Sequence, residues 1–193
     1  MSLSRLASSF ALLGCLGWSA AQAVSAVRIP PVHGAVLTGE KVDLPEGLRG
    51  KVGVLVIGFS QASRDEVEDW GRRLDEQYRS SAAVAFYEMP VLESVPHVLR
   101  GFVLKQIERS VSTGGKRRFL PILDHEADWK KAAGFVTSDD AYVLVVDGGG
   151  QIEWTTRGKA TTEMVAETMS EVERLRDRTK QREKEAAANG PGR

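Results

Sequence analysis

The sequence predicts an α/β fold in which helices cover both faces of a central mixed sheet. Two segments, residues 50–59 (from Val52 onward) and 142–146, are apolar at consecutive positions, as in strands that are buried on both sides. Segments of strand and helix character alternate between them, which is typical of such sheets. Asp147 and three glycines follow the second segment and lead into another extended stretch, so a C-terminal β-hairpin is expected, followed by a helix from Thr161.

The front half begins with a short extended pair within residues 36–44 and continues with the strand at 50–59. A helix is expected from Ser63, because Ser63 and Glu66 have the spacing of a capping box. Its buried face follows from helical periodicity. The predicted members of that face are Val67, Trp70, Leu74 and Tyr78. A third strand at 82–89 is stopped by Pro90.

The back half begins with a helix over residues 95–111, and its apolar side chains are expected to point inward. These side chains are Val98, Leu99, Phe102, Val103 and Ile107. An exposed turn, a strand at 119–123 and a short helix at 127–133 follow. Gly134 is placed to end that helix. The last helix is predicted over residues 161–178, and Trp70 and Trp129 are expected in or near the core.

The chain is long enough for one domain, predicted over residues 36–178. Residues 24–35 are predicted to be a linker and residues 179–193 a charged, disordered tail. With 26 basic and 26 acidic residues, the chain has no basic excess that would indicate nucleic acid binding.

The N-terminus predicts export to the periplasm or envelope. Arg5, an apolar stretch from Leu6 to Leu16 and the small-x-small site at 21–23 together indicate a signal peptide over residues 1–23. Two alternatives remain open. Residues 12–15 resemble a lipoprotein box with Cys15 as the lipidated residue, and residues 6–27 could stay in the membrane as an anchor. Either alternative would associate the protein with a membrane.

Cys15 is the only cysteine, so a domain processed after residue 23 contains no thiol and no disulfide. Thiol-disulfide exchange and thiol-dependent peroxide reduction both require a thiolate. The composition therefore argues against both activities.

Three motifs resemble the thioredoxin-like superfamily over roughly residues 36–177. Residues 48–52 and the apolar strand after them are similar to the start of periplasmic thiol-disulfide oxidoreductases. Residues 119–124 are similar to the extra strand that those proteins and peroxiredoxins insert. Residues 144–147, followed by glycines and Ile152, are similar to their C-terminal hairpin. The resemblance implies a thioredoxin-like fold.

The active-site positions depart from that superfamily. Where active members carry Cys-x-x-Cys or a peroxidatic cysteine, this chain has Ser60, Gln61, Ala62 and Ser63. Ala141 stands at the position of the family's cis-proline, where a trans peptide bond is expected because a non-proline cis bond costs roughly 2.5–4 kcal/mol. These five residues are therefore interpreted as degenerate active-site positions of a redox-inactive protein.

The hairpin is more closely similar to the mitochondrial ATP synthase assembly factors called ATPase complex subunit 10. The residues that match their pattern are Tyr142, Asp147, Trp154, Gly158 and Ala160. Glu153 and Ala141 differ from it. The resemblance implies kinship with proteins that help to build the membrane sector of the synthase.

Other candidate sites are few. His33, His97 and His125 lack ligand spacing, so no metal site is expected. Ser63 is interpreted as a helix cap rather than a nucleophile, and Asp147 with its glycines as a turn rather than a phosphate or calcium loop. Three residues are interpreted as possible contacts with a protein partner. They are Trp154, Arg117 and Arg118.

The sequence predicts an exported, redox-inactive domain without a cofactor, which acts by binding other proteins as an assembly or chaperone-like factor. The alternatives are a divergent peroxiredoxin-like or thiol-independent enzyme and an envelope protein that binds a small ligand. An exposed apolar patch including Trp154 would favour a protein partner, and a closed pocket near Ser60 and Ala141 would favour a ligand.

Overall fold

The computed structural model describes residues 27–188. The predicted signal peptide, with Cys15, lies outside the described residues, as do residues 189–193 of the predicted tail. The strands are β1 (Val32–Ala35), β2 (Lys41–Leu44), β3 (Val52–Gly58), β4 (Val84–Pro90), β5 (Ala141–Val146) and β6 (Ile152–Arg157). The α-helices are α1 (Arg64–Tyr78), α2 (His97–Ser110), α3 (Glu126–Ala133) and α4 (Thr162–Ala188).

The four main strands form one mixed sheet in the order β4-β3-β5-β6. The pair β3 and β4 is parallel, whereas β5 is antiparallel to both β3 and β6. Every residue of β3 and β5 is buried, as the two consecutive apolar segments predict. The predicted α/β class, with its mixed sheet and C-terminal hairpin followed by a helix, is confirmed.

Helices α1 and α4 cover one face of the sheet. Trp70 and Leu74 of α1 and Val172 of α4 are fully buried against alternate valines of β3 and β5. The indole Nε1 of Trp70 also donates a hydrogen bond of 2.8 Å to the carbonyl of Gly158, which ties α1 to the residue after β6. The buried face predicted for α1 is confirmed.

Helix α3 and the small β1-β2 hairpin cover the other face. Trp129 of α3 and Leu44 of β2 are fully buried, and they belong to one core cluster with Leu55 and Leu144 of the central strands. Helices therefore lie on both sides of the sheet. Gly134 ends α3 with a φ of 64°, as expected for a C-terminal glycine.

The predicted linker at 24–35 is wrong over the part that the structure describes, residues 27–35, where Arg28 also forms a β-bridge with Gln151. β1 occupies Val32–Ala35 and pairs antiparallel with β2, and Ile29 and Val32 are buried. The prolines at 30 and 31 suggested a linker, but neighbouring apolar residues bury against the sheet. The ordered structure therefore begins before residue 36.

The last helix also continues beyond its predicted end, through residues 179–188 of the predicted tail. This stretch contains no proline or glycine to stop a helix. Arg178 pairs with Glu153 of β6 at 2.7 Å, which fixes the helix to the sheet where the prediction ended it.

The predicted strand at 119–123 is reduced to two isolated parallel bridges beside β4, at Phe119 and Ile122. Pro121 lies between them and has no N–H to continue the ladder. None of the helices among residues 27–188 is both long enough and apolar enough to cross a membrane.

Helix α2 differs most from its prediction. None of its residues is buried, and three of the five side chains expected to point inward are exposed. Val98 is 89% exposed, Leu99 51% and Phe102 63%. Val103 and Ile107 face a cavity instead of a packed core.

Candidate functional site

The degenerate active-site positions lie where β3 ends and α1 begins. Phe59 follows β3, the turn at 60–63 leads into the helix, and Ser63 is fully buried behind Gly58. A Cβ at Gly58 would come within 2.8 Å of the Ser63 hydroxyl, so this close approach requires glycine. The structure thus brings Ser60 and Ser63 together at the end of the central strand.

Both serine hydroxyls are used to hold the turn. Ser60 Oγ donates to the carbonyl of Ser138 at 2.9 Å and accepts from the N–H of Ala62 at 3.0 Å. Ser63 Oγ donates to the carbonyl of Ser60 at 2.9 Å. A backbone carbonyl cannot serve as a general base, so neither contact activates a nucleophile. The two side chains are structural in this arrangement.

The predicted capping box is wrong in its contacts. Ser63 is already helical at φ −78° and ψ −3°, and its side chain makes no cap hydrogen bond. Glu66 reaches the N–H of Ala141 instead, at 3.0 Å. That N–H belongs to a buried strand residue and needs an acceptor, which the carboxylate supplies.

Ala141 therefore lies beside the serine turn, as the resemblance implies. Its preceding peptide bond is trans, as predicted, because Leu44–Pro45 is the only cis bond in the described part of the chain. The Ala141 N–H is occupied by Glu66 and its carbonyl accepts from Gly158 at 2.8 Å. Its backbone groups are thus satisfied within the domain.

A cavity of about 670 Å³ opens next to the serine turn, between the end of β3, α1, β4 and α2. Its walls include Ser60, Val67 and Val103, but not Ala141. A volume in the range of roughly 300–1,000 Å³ is typical of small-molecule sites. The closed pocket near Ser60 and Ala141 that would favour a ligand is therefore not what the structure shows: the cavity is open, it includes Ser60, and it extends under α2 rather than toward Ala141.

Glu88 of β4 supplies a carboxylate to this cavity. Its pKa is raised to about 7, mainly by burial and then by the nearby Glu68 and Asp75, while Arg118 opposes the rise. Nothing in the sequence marked Glu88, since a glutamate in an edge strand usually points to water. The opposing Gly71 of α1 is the one signal, because its missing side chain leaves room for the Glu88 carboxyl.

The outer side of α2 carries an exposed apolar group, which we call the α2 surface: Val98, Leu99 and Phe102. Lys105 and Arg109 lie on the same helical side as Phe102, at the i+3 and i+7 spacings. Neither cation forms an ion pair within residues 27–188. The α2 surface is therefore apolar with a basic margin.

The predicted partner contacts have different outcomes. Trp154 is half-buried and packs against the core cluster, as Met164 and Met169 do, so packing explains it and it forms no exposed aromatic patch. Arg118 is held inside the domain, with its guanidinium 3.9 Å from the centre of the Phe86 ring and 3.3 Å from Asp75. Arg117 is exposed, as predicted. An exposed apolar patch does exist, on α2.

No group of three or more potential metal ligands occurs among the described residues. His33 contacts Asp43 at 2.9 Å and His125 contacts Asp128 at 3.4 Å, each as an exposed pair. The Asp147 carboxylate accepts from the N–H groups of Gly149 and Gln151. Asp147 thus closes its own turn, in agreement with the predicted role.

This arrangement defines a thioredoxin-like protein, and solved structures agree. A thiol:disulfide interchange protein of the thioredoxin family from Chlorobium tepidum TLS is 16% identical, with a TM-score of 0.52, over 78% of this chain and 97% of that chain. Etrx1 from Streptococcus pneumoniae is 10% identical, with a TM-score of 0.53, over 74% and 99%. BsSco, a member of the Sco family of cytochrome c oxidase assembly proteins, is 11% identical, with a TM-score of 0.54, over 79% and 95%. At these identities the likeness shows the fold alone.

The family follows from the sequence itself. The model of the ATP10 protein family, ATP-synt_10, matches residues 18–175, so the chain belongs to that family. The kinship inferred from the hairpin is thereby confirmed. A search among curated proteins finds no match.

Proposed function

We propose that this ATP10-family protein is an exported assembly factor that binds an apolar segment of a membrane-complex subunit and performs no thiol chemistry. The observation that carries the proposal is the α2 surface. Large apolar side chains that remain exposed together in a folded domain mark an interaction site more often than isolated ones do. The family of assembly factors that the hairpin resembles supports the same class of function.

The charge around the α2 surface indicates the chemistry of the partner. Lys105 and Arg109 are exposed, and neither of them pairs with a carboxylate in the described part of the chain. Complementary charge fixes the register of an interface and excludes wrong partners. The expected partner segment is therefore apolar with acidic residues at its border.

The serine turn supports binding rather than catalysis. The hydroxyls of Ser60 and Ser63 donate hydrogen bonds to backbone carbonyls, and the chain has no cysteine after Cys15. A divergent peroxidase or disulfide exchange enzyme would need a thiolate at this turn. The protein is proposed to use the fold as a scaffold for α2.

Export is proposed on the N-terminal pattern of Arg5, the apolar stretch and the site at 21–23. Mass spectrometry of protein from the native host separates the three forms of processing. A chain starting at Val24 supports export with cleavage, a lipidated Cys15 supports the lipoprotein form, and an intact Met1 contradicts cleavage.

Photo-crosslinking from position 102 tests the binding proposal. A photoreactive residue replaces Phe102 in the full chain, expressed in the native host, and the matched control places it at Val136. Val136 is 64% exposed and lies outside α2. The expected product is an adduct at position 102, mapped to an apolar segment of a membrane-complex subunit with acidic residues beside it.

The charge-reversed variant K105E/R109E should lose this adduct, because the basic margin would then repel the acidic border of the partner. Equal labelling from positions 102 and 136 would contradict the proposal. So would an adduct at position 102 that maps to a polar, charged surface.

A further inference from the structure

The cavity under α2 contains a carboxylate without a partner. Glu88 lines the cavity, and its carboxylate makes no hydrogen bond and no ion pair within residues 27–188. Other acidic side chains of the neighbouring helix are paired: Glu68 with Arg64 at 2.7 Å, and Asp75 with Arg118 at 3.3 Å. A half-buried carboxylate normally finds a donor, because leaving it unpaired costs free energy.

The protein makes room for this carboxylate. Gly71 is buried in the middle of α1, where glycine is unfavourable by about 1 kcal/mol relative to alanine. A Cβ at this position would overlap the Glu88 carboxyl group. The backbone conformation at Gly71 is ordinary helix, so space for Glu88 is what the glycine provides.

The surrounding walls suit an alkyl chain. Apolar side chains line the cavity, among them Val67 of α1, Val103 and Ile107 of α2, and Phe119 beside β4. The cavity therefore has an apolar wall beside the Glu88 carboxylate, while Glu68, Arg64 and Arg109 add charges of both signs to its lining. Its volume exceeds what one side chain needs. An extended methylene chain ending in a cation would place each of its parts against a complementary wall.

We propose that this cavity binds an alkylammonium group, with the methylene chain against the apolar walls and the cation at Glu88. The group could belong to a lysine side chain of a protein or to a free alkylamine. This inference goes beyond the proposed function, because it concerns the inner side of α2 and does not depend on Val98, Leu99 and Phe102; only Arg109, which also lines the cavity, is shared with the basic margin.

Charged groups from every neighbouring element face Glu88 and set its behaviour with pH. Glu68 and Asp75 of α1 favour protonation, and Arg118 opposes it. Arg64 and Arg109 line the same cavity. Glu88 has a pKa of about 7, so it is largely neutral at about pH 6 and largely ionised at about pH 8. Affinity for a cation should rise over this interval.

The experiment titrates the full chain with three probes, followed by the amide resonances of residues that line the cavity. The probes are hexylamine, hexanol as its neutral counterpart, and an end-blocked peptide with one lysine between apolar residues. Wild-type protein should bind hexylamine or the peptide at least about tenfold more tightly than hexanol, and more tightly at about pH 8 than at about pH 6. The tighter of the two ammonium probes identifies the source of the natural group.

Two variants test the role of the carboxylate. Glu88→Gln removes its charge, and Gly71→Ala displaces it while retaining the charge; both should weaken ammonium binding about tenfold or more. Glu76→Gln is the matched control. Glu76 is an exposed carboxylate of α1, the helix that contains Gly71, and it pairs with Arg72. It should bind like wild type.

Equal affinity of wild type for hexylamine and hexanol would overturn the inference, and so would the absence of ammonium binding at millimolar concentration. Unchanged binding in Glu88→Gln would also overturn it. Because Phe102 is unaltered in these variants, none of these results bears on the proposed partner site.

Discussion

Ser60 and Ser63 occupy the two positions at which the resemblance to active thioredoxin-like proteins places cysteines. Their hydroxyls hold the turn between β3 and α1 through the carbonyls of Ser138 and Ser60. Glu66 accepts a hydrogen bond from the N–H of Ala141, the other position that the resemblance places at the active site. The sequence predicts these positions and their lack of thiols, but not the hydrogen bonds, because the partners lie up to 78 residues away.

The contrast between Val145 and Ser63 tests the residue-level account. Val145→Asp should unfold the domain, because an unpaired carboxylate in a fully buried strand costs several kcal/mol of a total of roughly 5–15 kcal/mol. Ser63→Ala removes one hydrogen bond to a carbonyl and should cost about 0.5–1.5 kcal/mol. Denaturant titration measures both, and a tolerated Val145→Asp would contradict the assignment of β5 as a central strand.

Glu88 should make stability depend on pH. Its pKa rises from an ordinary 4.5 to about 7 in the folded chain, so its ionisation favours the unfolded state. Below about pH 4.5 Glu88 is protonated in both states, so its contribution to the free energy of unfolding is fully present. That contribution is lost as the pH rises to about 7. This loss should be absent from Glu88→Gln. The difference in the free energy of unfolding between Glu88→Gln and wild type should therefore increase by on the order of 2 kcal/mol, in favour of the variant, between pH 4 and pH 8. Parallel stability curves for the two proteins would count against a raised pKa.

At the scale of elements, the sequence predicts those whose pattern is local. β3 and β5 are recognisable because consecutive apolar residues suit a strand covered on both faces. α1 is recognisable from one apolar stripe. The packing of α2 could not be predicted in the same way, because burial depends on which distant element lies against a helix. One feature of the sequence does indicate that part of α2 is exposed. The apolar residues from Val98 to Ile107 occupy more of the helix circumference than one buried face can cover.

The exposure of α2 predicts that apolar residues of α2 and α1 contribute differently to stability. Phe102→Ser should change the free energy of unfolding by about 0.5 kcal/mol or less, because the ring is 63% exposed. Leu74→Ser should cost about 2–5 kcal/mol, because Leu74 of α1 is fully buried and the hydroxyl would lack a partner. Chemical denaturation of both variants is the measurement. Comparable losses would mean that α2 packs into the core.

At the scale of the whole molecule, a thioredoxin-like sheet presents a helix rather than a thiol pair. The fold brings the start of α1, β4 and α2 around one cavity, so the serine turn and the proposed binding surfaces share a border. Family membership and the absence of cysteine after Cys15 are readable from the sequence. The cavity and the exposed helix face are properties of the assembled fold alone.

Thiol chemistry can be tested directly on the chain without residues 1–23. This protein should neither reduce insulin disulfides nor consume peroxide, because it contains no cysteine to supply a thiolate. A Ser60→Cys/Ser63→Cys variant serves as a comparison that restores two thiols at the turn. Turnover by the cysteine-free protein in either assay would contradict the assignment to a binding function.

The most direct test of the central claim compares variants of the α2 surface and of the serine turn in a host that lacks the native gene. One variant, Leu99→Ser/Phe102→Ser, removes the apolar α2 surface, and the other, Ser60→Ala/Ser63→Ala, removes both hydroxyls of the turn. The quantity measured is the amount of the assembled membrane complex whose subunit is crosslinked at position 102, with equal levels of folded variant confirmed. The α2 variant should lose most of the assembled complex and the serine variant should retain it. Retention by the α2 variant together with loss in the serine variant would contradict the claim.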